Sequence, residues 1–187
     1  MQEEYIKSIN SKIIREIRKE DLETERLILL PLQAESLALS LEDYGKMQKD
    51  LGLIILNTTL DEEMQYAMKV RLRKVLEDVE HYMWLTNWAI VHKTKNQIIG
   101  FIMLKGLPNK MGEVIVGYGI DENFRQQRFA TEALQRLIEW VFESPKALSV
   151  IADTEIANIP SHKVLENLGA TQYNETDELI WWKIEKH

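Results

Sequence analysis

The chain has 187 residues, 45% of them hydrophobic and 28% charged, which is enough for one globular domain with a buried core. Its net charge of −7 argues against a nucleic-acid partner, because general nucleic-acid binders present a basic face. With no cysteine for a disulfide or thiolate site, and no apolar run or leader suited to a membrane, we expect a cytoplasmic protein without a membrane partner.

The first predicted element is an amphipathic helix over residues 2–20. Four isoleucines recur there at helical spacing between charged residues. Because this helix precedes the main pattern, we divide the chain into an N-terminal helical arm, residues 1–22, and a single domain, residues 23–187. The arm could be an accessory segment or the contact of a homodimer.

The first half of the domain begins with a strand and continues mainly with helices. We predict a strand, a helix, a strand or buried loop, and a second helix, at residues 26–32, 33–44, 51–56 and 59–82. Gly45 is expected to end the first helix, and a capping-box pattern begins the second. One face of the second helix is apolar except at Arg71.

The second half of the domain is richer in strands. Strands are predicted at residues 84–92, 97–105, 113–120 and 147–153, and a closing hairpin at residues 171–185. An amphipathic helix begins near residue 127, with Glu132 and Arg136 as an i,i+4 pair, and a shorter helix follows Asn158. This order predicts an α/β (α+β) fold, with a mostly antiparallel central sheet flanked by helices and an extra N-terminal helix.

The turn before the amphipathic helix is a candidate phosphate site. The first N–H groups of a helix lack intrahelical acceptors and carry the positive end of its dipole, so they attract phosphate. Arg125 and Arg128 add positive charge to this turn. The turn has no glycine, and we expect it to stay in ordinary backbone space where none is needed. An exposed polar turn is the alternative that the residues alone leave open.

Four motifs then follow in a defined order: ETERLIL, QIIGFI, GYGI through ATEAL, and NIPSHKVLENLGA. Together they span roughly residues 23–185 and resemble the GNAT superfamily of acetyl-coenzyme A-dependent N-acetyltransferases. Within it they are most similar to the branch that acetylates ribosomal-protein N-termini. The resemblance implies a GNAT-like fold with acetyl-coenzyme A as co-substrate. It also implies direct attack of a primary amine, from a protein N-terminus or a small molecule, in a ternary complex.

The resemblance also implies which residues hold the cofactor. The family's loop pattern, Gln/Arg-x-x-Gly-x-Gly/Ala, falls on residues 125–130, with Arg128 in place of the first glycine. We expect the Arg128 side chain to point away from the backbone and pair with a phosphate. The implied cofactor-binding residues are Tyr118, Gly119, Ile120, Arg125, Gln126, Gln127, Arg128, Phe129, Ala130, Thr131, Asn158 and Ser161.

Three residues are candidates for catalysis by the same resemblance. Glu113 would be the general base, and an exposed strand-edge glutamate is its alternative. Ser161 would protonate the departing thiolate, with capping of its helix as the alternative, because Leu165 replaces the tyrosine common in the family. Tyr118 would line the cleft or donate a hydrogen bond. The histidines show no metal-ligand spacing, so we expect no metal.

Two other functions stay open at this point. A non-catalytic acyl-coenzyme A-binding or regulatory protein on the same fold is compatible with Arg128 and Leu165. A structural or interaction protein assembled through the N-terminal helix is the second. A P-loop nucleotide-binding protein is excluded, because no Gly-Lys-Ser/Thr follows the central strand.

Overall fold

The computed structural model describes residues 17–186, which form one eight-stranded sheet and six α-helices. The strands are β1 (Leu22–Glu23), β2 (Leu27–Pro31), β3 (Asn87–His92), β4 (Gln97–Leu104), β5 (Glu113–Ile120), β6 (Ser149–Glu155), β7 (Thr171–Glu175) and β8 (Leu179–Glu185). The helices are α1 (Ala34–Glu42), α2 (Tyr44–Asp50), α3 (Glu62–Glu77), α4 (Tyr82–Leu85), α5 (Phe129–Glu143) and α6 (Ile159–Asn167). None of these helices is long and apolar enough to span a bilayer.

The sheet has the order β1-β2-β3-β4-β5-β6-β8-β7, and only the β5–β6 pair is parallel. That pairing joins residues 113–115 to residues 149–151 and then stops. Farther on, β5 stays paired with β4, whereas β6 stays paired with β8. The two strands therefore diverge. We call the opening between residues 116–120 of β5 and 152–155 of β6 the splay.

Helices cover both faces of the sheet and create two cores. One core packs the inward face of α5, together with Leu165 of α6, against β2 to β6 and β8. The other packs α1 to α4 against residues of β2, β3 and β4. The amphipathic face predicted for α5 forms its side of the first core, since all of the predicted apolar positions except the half-buried Ala130 are buried. The splay thus lies beside α5 and α6 on one face.

Several predicted boundaries in the first half are wrong. Residues 17–20 form coil and a turn, and the rest of the predicted N-terminal helix lies outside the described residues. Gly45 does not end α1 but lies in α2, because Asp43 is extended and its carboxylate accepts a hydrogen bond from Lys46 N at 2.8 Å. The helix α3 ends at Glu77 rather than near residue 82. Residues 51–56 form a loop, one of the two predicted alternatives, in which only Leu53 is buried.

A close approach between β4 and β5 fixes the far end of β5. A Cβ atom on Gly100 would collide with the carbonyl oxygen of Gly119, so no larger residue fits without moving a strand. The pairing of β3 with β4 also shifts register beside Gly100. These constraints set the position of Gly119 and Ile120, where the candidate phosphate turn begins.

Candidate active site

The turn between β5 and α5 is folded back onto the strand that precedes it. A short 3-10 turn, Glu122–Phe124, follows β5, and α5 begins at Phe129. Arg125 Nε donates a hydrogen bond to the carbonyl oxygen of Ile120 at 3.0 Å. Residues 125–131, which we call the α5 loop, therefore start close to the open end of the splay.

The α5 loop does not stay in ordinary backbone space, so that prediction is wrong. Gln126 has φ 61° and Arg128 has φ 63°, both in the left-handed region. This conformation costs a non-glycine residue roughly 1–2 kcal/mol. The glycine that the family pattern places at position 128 therefore has a conformational purpose. In this chain an exposed arginine adopts the same backbone shape.

The amides of residues 126–131 form a run of free donors. The first hydrogen bond of α5 joins Glu132 N to Arg128 O at 3.1 Å, and within residues 17–186 the six preceding amides have no acceptor. Successive N–H groups around left-handed residues form concave anion sites, and the helix dipole adds to their field. The loop is therefore suited to a phosphate group.

A network centred on Glu132 anchors the α5 loop to the turn before β2. Its carboxylate accepts hydrogen bonds from Thr24 Oγ1 at 2.5 Å, Arg26 Nε at 2.7 Å and Arg26 N at 3.0 Å. Arg26 Nη2 also donates to Gln127 O at 3.1 Å, and its guanidinium lies 4.3 Å from the Phe129 ring centroid. Arg26 thus contacts both the loop and the first turn of α5.

The predicted pair between Glu132 and Arg136 does not form. Arg136 instead donates to Glu23 O at 3.2 Å and lies 3.8 Å from Glu139. Burial alone would raise the pKa of Glu132, but the hydrogen bonds from Thr24 and Arg26 and the Arg26 charge together lower it. Helical spacing could not reveal this partner, which lies 106 residues away in the sequence.

The splay exposes backbone groups of β5. Lys105 N donates to Ile115 O at 2.7 Å, so odd-numbered residues of β5 bond to β4 and even-numbered residues face β6. Because β6 diverges after Ile151, the C=O group of Val116 and both the N–H and C=O groups of Tyr118 point into the splay. An extended ligand could bind these groups as an added strand would.

Three of the predicted site residues come together at the splay. Tyr118 Oη donates a long hydrogen bond, 3.4 Å, to the carbonyl oxygen of Ser161. Asn158 Oδ1 accepts from Ser161 N at 3.2 Å and caps α6, so the cap is Asn158 and not Ser161. Burial raises the pKa of Tyr118 to about 12. Its phenol is therefore neutral near pH 7 and can donate a proton or a hydrogen bond.

Glu113 is separated from these residues. It begins β5, five positions before Tyr118, which corresponds to about 16 Å along a strand. Its carboxylate accepts from Asn109 Nδ2 at 3.1 Å and lies 3.3 Å from Lys183 Nζ. The Asn109 hydrogen bond lowers its pKa despite some burial, and Lys183 lowers it further. Glu113 therefore lies at the paired end of β5, away from the splay, and its role as base stays a prediction.

A different carboxylate lies at the splay. Asp153 is two residues past the last β6 residue paired with β5 and on the opposite face of the sheet from Ala152, which is buried in the α5-side core. Its Oδ1 is 3.1 Å from Lys105 Nζ. The register of β6 fixes this position, since Asp153 pairs with Trp181 of β8 and no longer with β5. Within residues 17–186, no group of three or more His, Asp or Glu side chains could hold a metal.

Comparison with known proteins is consistent with this geometry. Residues 26–171 match the family described as "Acetyltransferase (GNAT) domain". The chain is similar to the uncharacterized N-acetyltransferase YjdG of Bacillus subtilis (strain 168). The two are 27% identical over 162 residues, which cover 86% of this chain and 95% of the relative.

Solved structures share the fold. The ribosomal-protein-S5-alanine acetyltransferase from Vibrio fischeri matches with a TM-score of 0.66 at 18% identity, covering 88% of this chain and 96% of that chain. RimL, a ribosomal L7/L12 alpha-N-protein acetyltransferase solved in complex with coenzyme A, matches with a TM-score of 0.64 at 13% identity. That match covers 89% of this chain and 98% of that chain. The predicted mixed, mostly antiparallel sheet flanked by helices is confirmed.

Proposed function

The chain belongs to the acetyltransferase (GNAT) domain family and is an N-acetyltransferase that uses acetyl-coenzyme A, and from this premise we propose its mechanism. A primary amine attacks the acetyl thioester directly while both substrates are bound. The observation that carries the proposal is the run of free amides at residues 126–131, beside a splay with unpaired strand backbone. The acceptor is a protein N-terminus or a small-molecule amine. Structural neighbours named for acetylating ribosomal proteins support the first.

In this proposal the α5 loop binds the cofactor's pyrophosphate. The amides of residues 126–131 donate to it, and the exposed Arg128 guanidinium pairs with a phosphate oxygen. The pantetheine arm lies along Tyr118–Ile120 in the splay, as an added strand would. Asn158 uses Oδ1 to cap α6, which leaves its Nδ2 group to bind the pantetheine.

The reaction centre lies where the splay opens. The amine nitrogen attacks the acetyl carbon, and the negative carbonyl oxygen that develops is stabilised by N–H groups of β5 facing the splay. The carbon–sulfur bond then breaks, and the Ser161 hydroxyl passes a proton to the departing thiolate and recovers one from solvent. Tyr118, which is neutral, holds the start of α6 by its hydrogen bond to Ser161 O.

We assign the proton lost by the amine to Asp153 rather than to Glu113. Asp153 lies at the splay, on the face opposite the side chains that face α5, and a bound amine would compete with Lys105 for its carboxylate. Glu113 is at the paired end of β5, held by Asn109 and Lys183. A water molecule between amine and carboxylate would complete the transfer.

Cofactor binding and turnover test this function directly. Acetyl-coenzyme A at about 100 times its Kd should stabilise the fold by about 2.7 kcal/mol. Thiol release should then require an added amine. We expect Asp153→Asn to lower kcat about 100-fold or more, whereas the matched variant Glu113→Gln should change it less than threefold. Stabilisation without thiol release for any amine would instead support a non-catalytic coenzyme A-binding protein.

A further inference from the structure

One buried cation has no counter-ion in the described part of the chain. Arg71 lies on the inward face of α3 and is only 6% exposed. Its Nη1 atom donates to Leu104 O at 2.9 Å, and Nε is buried without a partner. A guanidinium has five N–H donors. Most of its donors are therefore not satisfied by residues 17–186, and no carboxylate there forms an ion pair with it.

This arrangement differs from that of the other arginines in residues 17–186. Four of them lie within 4.0 Å of a carboxylate, namely Arg18, Arg26, Arg73 and Arg136. Arg125 and Arg128 are exposed to solvent. Burying an unpaired charge costs several kcal/mol, which is why buried arginines normally have anionic partners. Burial also lowers the pKa of Arg71, with no carboxylate opposing the effect.

Arg71 is close to the splay. Leu104, whose carbonyl oxygen it binds, pairs with Val116, the first β5 residue past the β5–β6 pairing. One strand spacing and two residues separate the Cα atoms of Leu104 and Tyr118, which is about 8 Å. The Leu104 carbonyl oxygen points away from β5, because only odd-numbered residues of β5 bond to β4, so the guanidinium lies on the β3 side of β4. An acceptor with its amine at the reaction centre therefore has to extend roughly 10 Å or more to place a carboxylate on Arg71.

The face of the sheet on which Arg71 lies also supports a contact with the acceptor. Tyr118 and α6 occupy the α5 side of the splay, so an acceptor approaches from the side on which α3 lies. Lys74 Nζ, one turn beyond Arg71, donates to Lys105 O at 3.0 Å. Burial lowers the pKa of Lys74, and the charges of Arg71 and Arg73 lower it further. Arg71, Lys74 and Lys105 therefore bring positive charge to the end of β4, opposed there by Asp153 beside Lys105 and by Glu77 near Lys74.

We propose that Arg71 binds a carboxylate of the acceptor, so that the preferred acceptors carry a carboxylate in addition to the amine. The planar guanidinium matches a carboxylate with two parallel hydrogen bonds, which a lysine could not reproduce. The carboxylate could belong to a free amino acid or to an acidic side chain of a peptide N-terminus. This inference rests on the proposed acetyl transfer and adds the chemical class of the acceptor.

The test compares acceptors that differ only in the carboxylate. One arm pairs each proteinogenic L-amino acid with its carboxamide. The other pairs tetrapeptides, blocked at the C-terminus, that carry Asp or Asn as second residue. We expect a 10- to 100-fold higher kcat/KM for the acid member of at least one pair, as for a hydrogen-bonded charge pair. Amine basicity cannot produce this preference in the first arm. The amine of the carboxamide is more easily deprotonated, so a larger fraction of it is neutral and reactive, which would favour the amide rather than the acid.

Variants of α3 distinguish recognition from a structural role. Arg71→Met should remove the preference and Arg71→Lys should reduce it, with the Kd for acetyl-coenzyme A unchanged as evidence of folding. Arg73→Met removes the same charge from an exposed position of the same helix, so it should retain the preference. The arm in which the preference appears identifies the source of the carboxylate.

Three results would overturn the proposal. The wild type could have equal kcat/KM for the acid and amide members of every pair, Arg71→Met could keep the preference for the acid, or Arg71→Met could lower kcat/KM equally for both members. If no amine is acetylated although the cofactor binds, the proposed function fails separately. The pairs are then compared by thermal shift of the coenzyme A-saturated protein. Equal shifts for acid and amide in that measurement would also overturn the role of Arg71.

Discussion

At the level of single residues, backbone conformation explains the unusual sequence of the α5 loop. A turn with φ near +60° at two positions is normally built with glycine, because a Cβ atom disfavours that region. Here Gln126 and Arg128 adopt it. Arg128 thereby retains a side chain beside the free amides, where a glycine would provide none. The expected benefit is added positive charge at the phosphate site, at a cost in stability.

Replacement of Arg128 by glycine should therefore raise stability and weaken cofactor binding. Relief of the left-handed strain contributes about 1–2 kcal/mol, and the greater freedom of glycine in the unfolded chain offsets about 0.5–1 kcal/mol. We expect Arg128→Gly to increase the free energy of unfolding by up to about 1 kcal/mol in urea titrations. The Kd for acetyl-coenzyme A should rise about 10-fold, since a charge-assisted hydrogen bond is lost.

Gln127 provides the matched control in the same loop. Its φ is not positive, so Gln127→Gly should destabilise the protein by about 0.5–1 kcal/mol. Its effect on cofactor affinity should be small, because its backbone amide is retained. Equal stability changes at positions 127 and 128 would contradict the role of backbone strain.

At the level of elements, the sequence predicts helices and strands that have a periodic pattern of apolar residues. It does not predict contacts between residues that are far apart in the chain. The bounds of β5 agree with the prediction, and α5 begins at Phe129, two residues after its predicted start, because each has a continuous pattern of its own. The end of α3 does not, because Asp78 leaves helical geometry before the apolar pattern ends. No local pattern pairs Arg26 with Glu132, or shows that β5 and β6 part after Ile115. The place of the loop in the chain was predictable, but its backbone conformation and its anchor required the tertiary structure.

The anchor between α5 and the turn before β2 should control cofactor binding. Arg26→Gln would leave the Glu132 carboxylate uncompensated in the first turn of α5, close to the amides proposed to bind pyrophosphate. We expect the KM for acetyl-coenzyme A to rise about 10-fold or more at low salt. The kcat at saturating cofactor should change less than threefold, because Arg26 touches no reacting group. Steady-state kinetics at two salt concentrations measures both quantities.

A double variant separates electrostatics from simple loss of structure. Arg26→Gln/Glu132→Gln removes both charges, so it should recover most of the cofactor affinity while staying less stable than wild type. A double variant with a KM as high as that of Arg26→Gln would mean that the anchor acts only by holding the loop in place. The melting temperatures of the three proteins provide the stability measurement.

At the level of the whole molecule, the helices that cover the two faces of the sheet bury a tyrosine side chain on each face. Tyr118 lies at the splay beside α6, and Tyr44, the first residue of α2, lies in the core on the other face. Burial raises the pKa of both, and the charge of Asp121 adds to the effect at Tyr44. The active site is therefore linked to the stability of the fold at alkaline pH.

Alkaline unfolding should reveal this linkage. In an unfolded chain tyrosine loses its proton near pH 10, whereas Tyr118 in the folded protein keeps it up to about 12. Between these values the folded state binds more protons than the unfolded state, so the free energy of unfolding falls as the pH rises. For Tyr118 alone the loss between pH 8 and pH 11 is about 1.4 kcal/mol. Urea titrations should show that, between pH 8 and pH 11, the free energy of unfolding falls by this amount less in Tyr118→Phe than in wild type.

Tyr66→Phe is the control, because the Tyr66 side chain on α3 is 70% exposed. Its free energy of unfolding should fall by as much as that of wild type. Equal pH sensitivity in wild type and Tyr118→Phe would mean that the Tyr118 hydroxyl is solvated, and it would then be a poor anchor for the Ser161 backbone at the reaction centre.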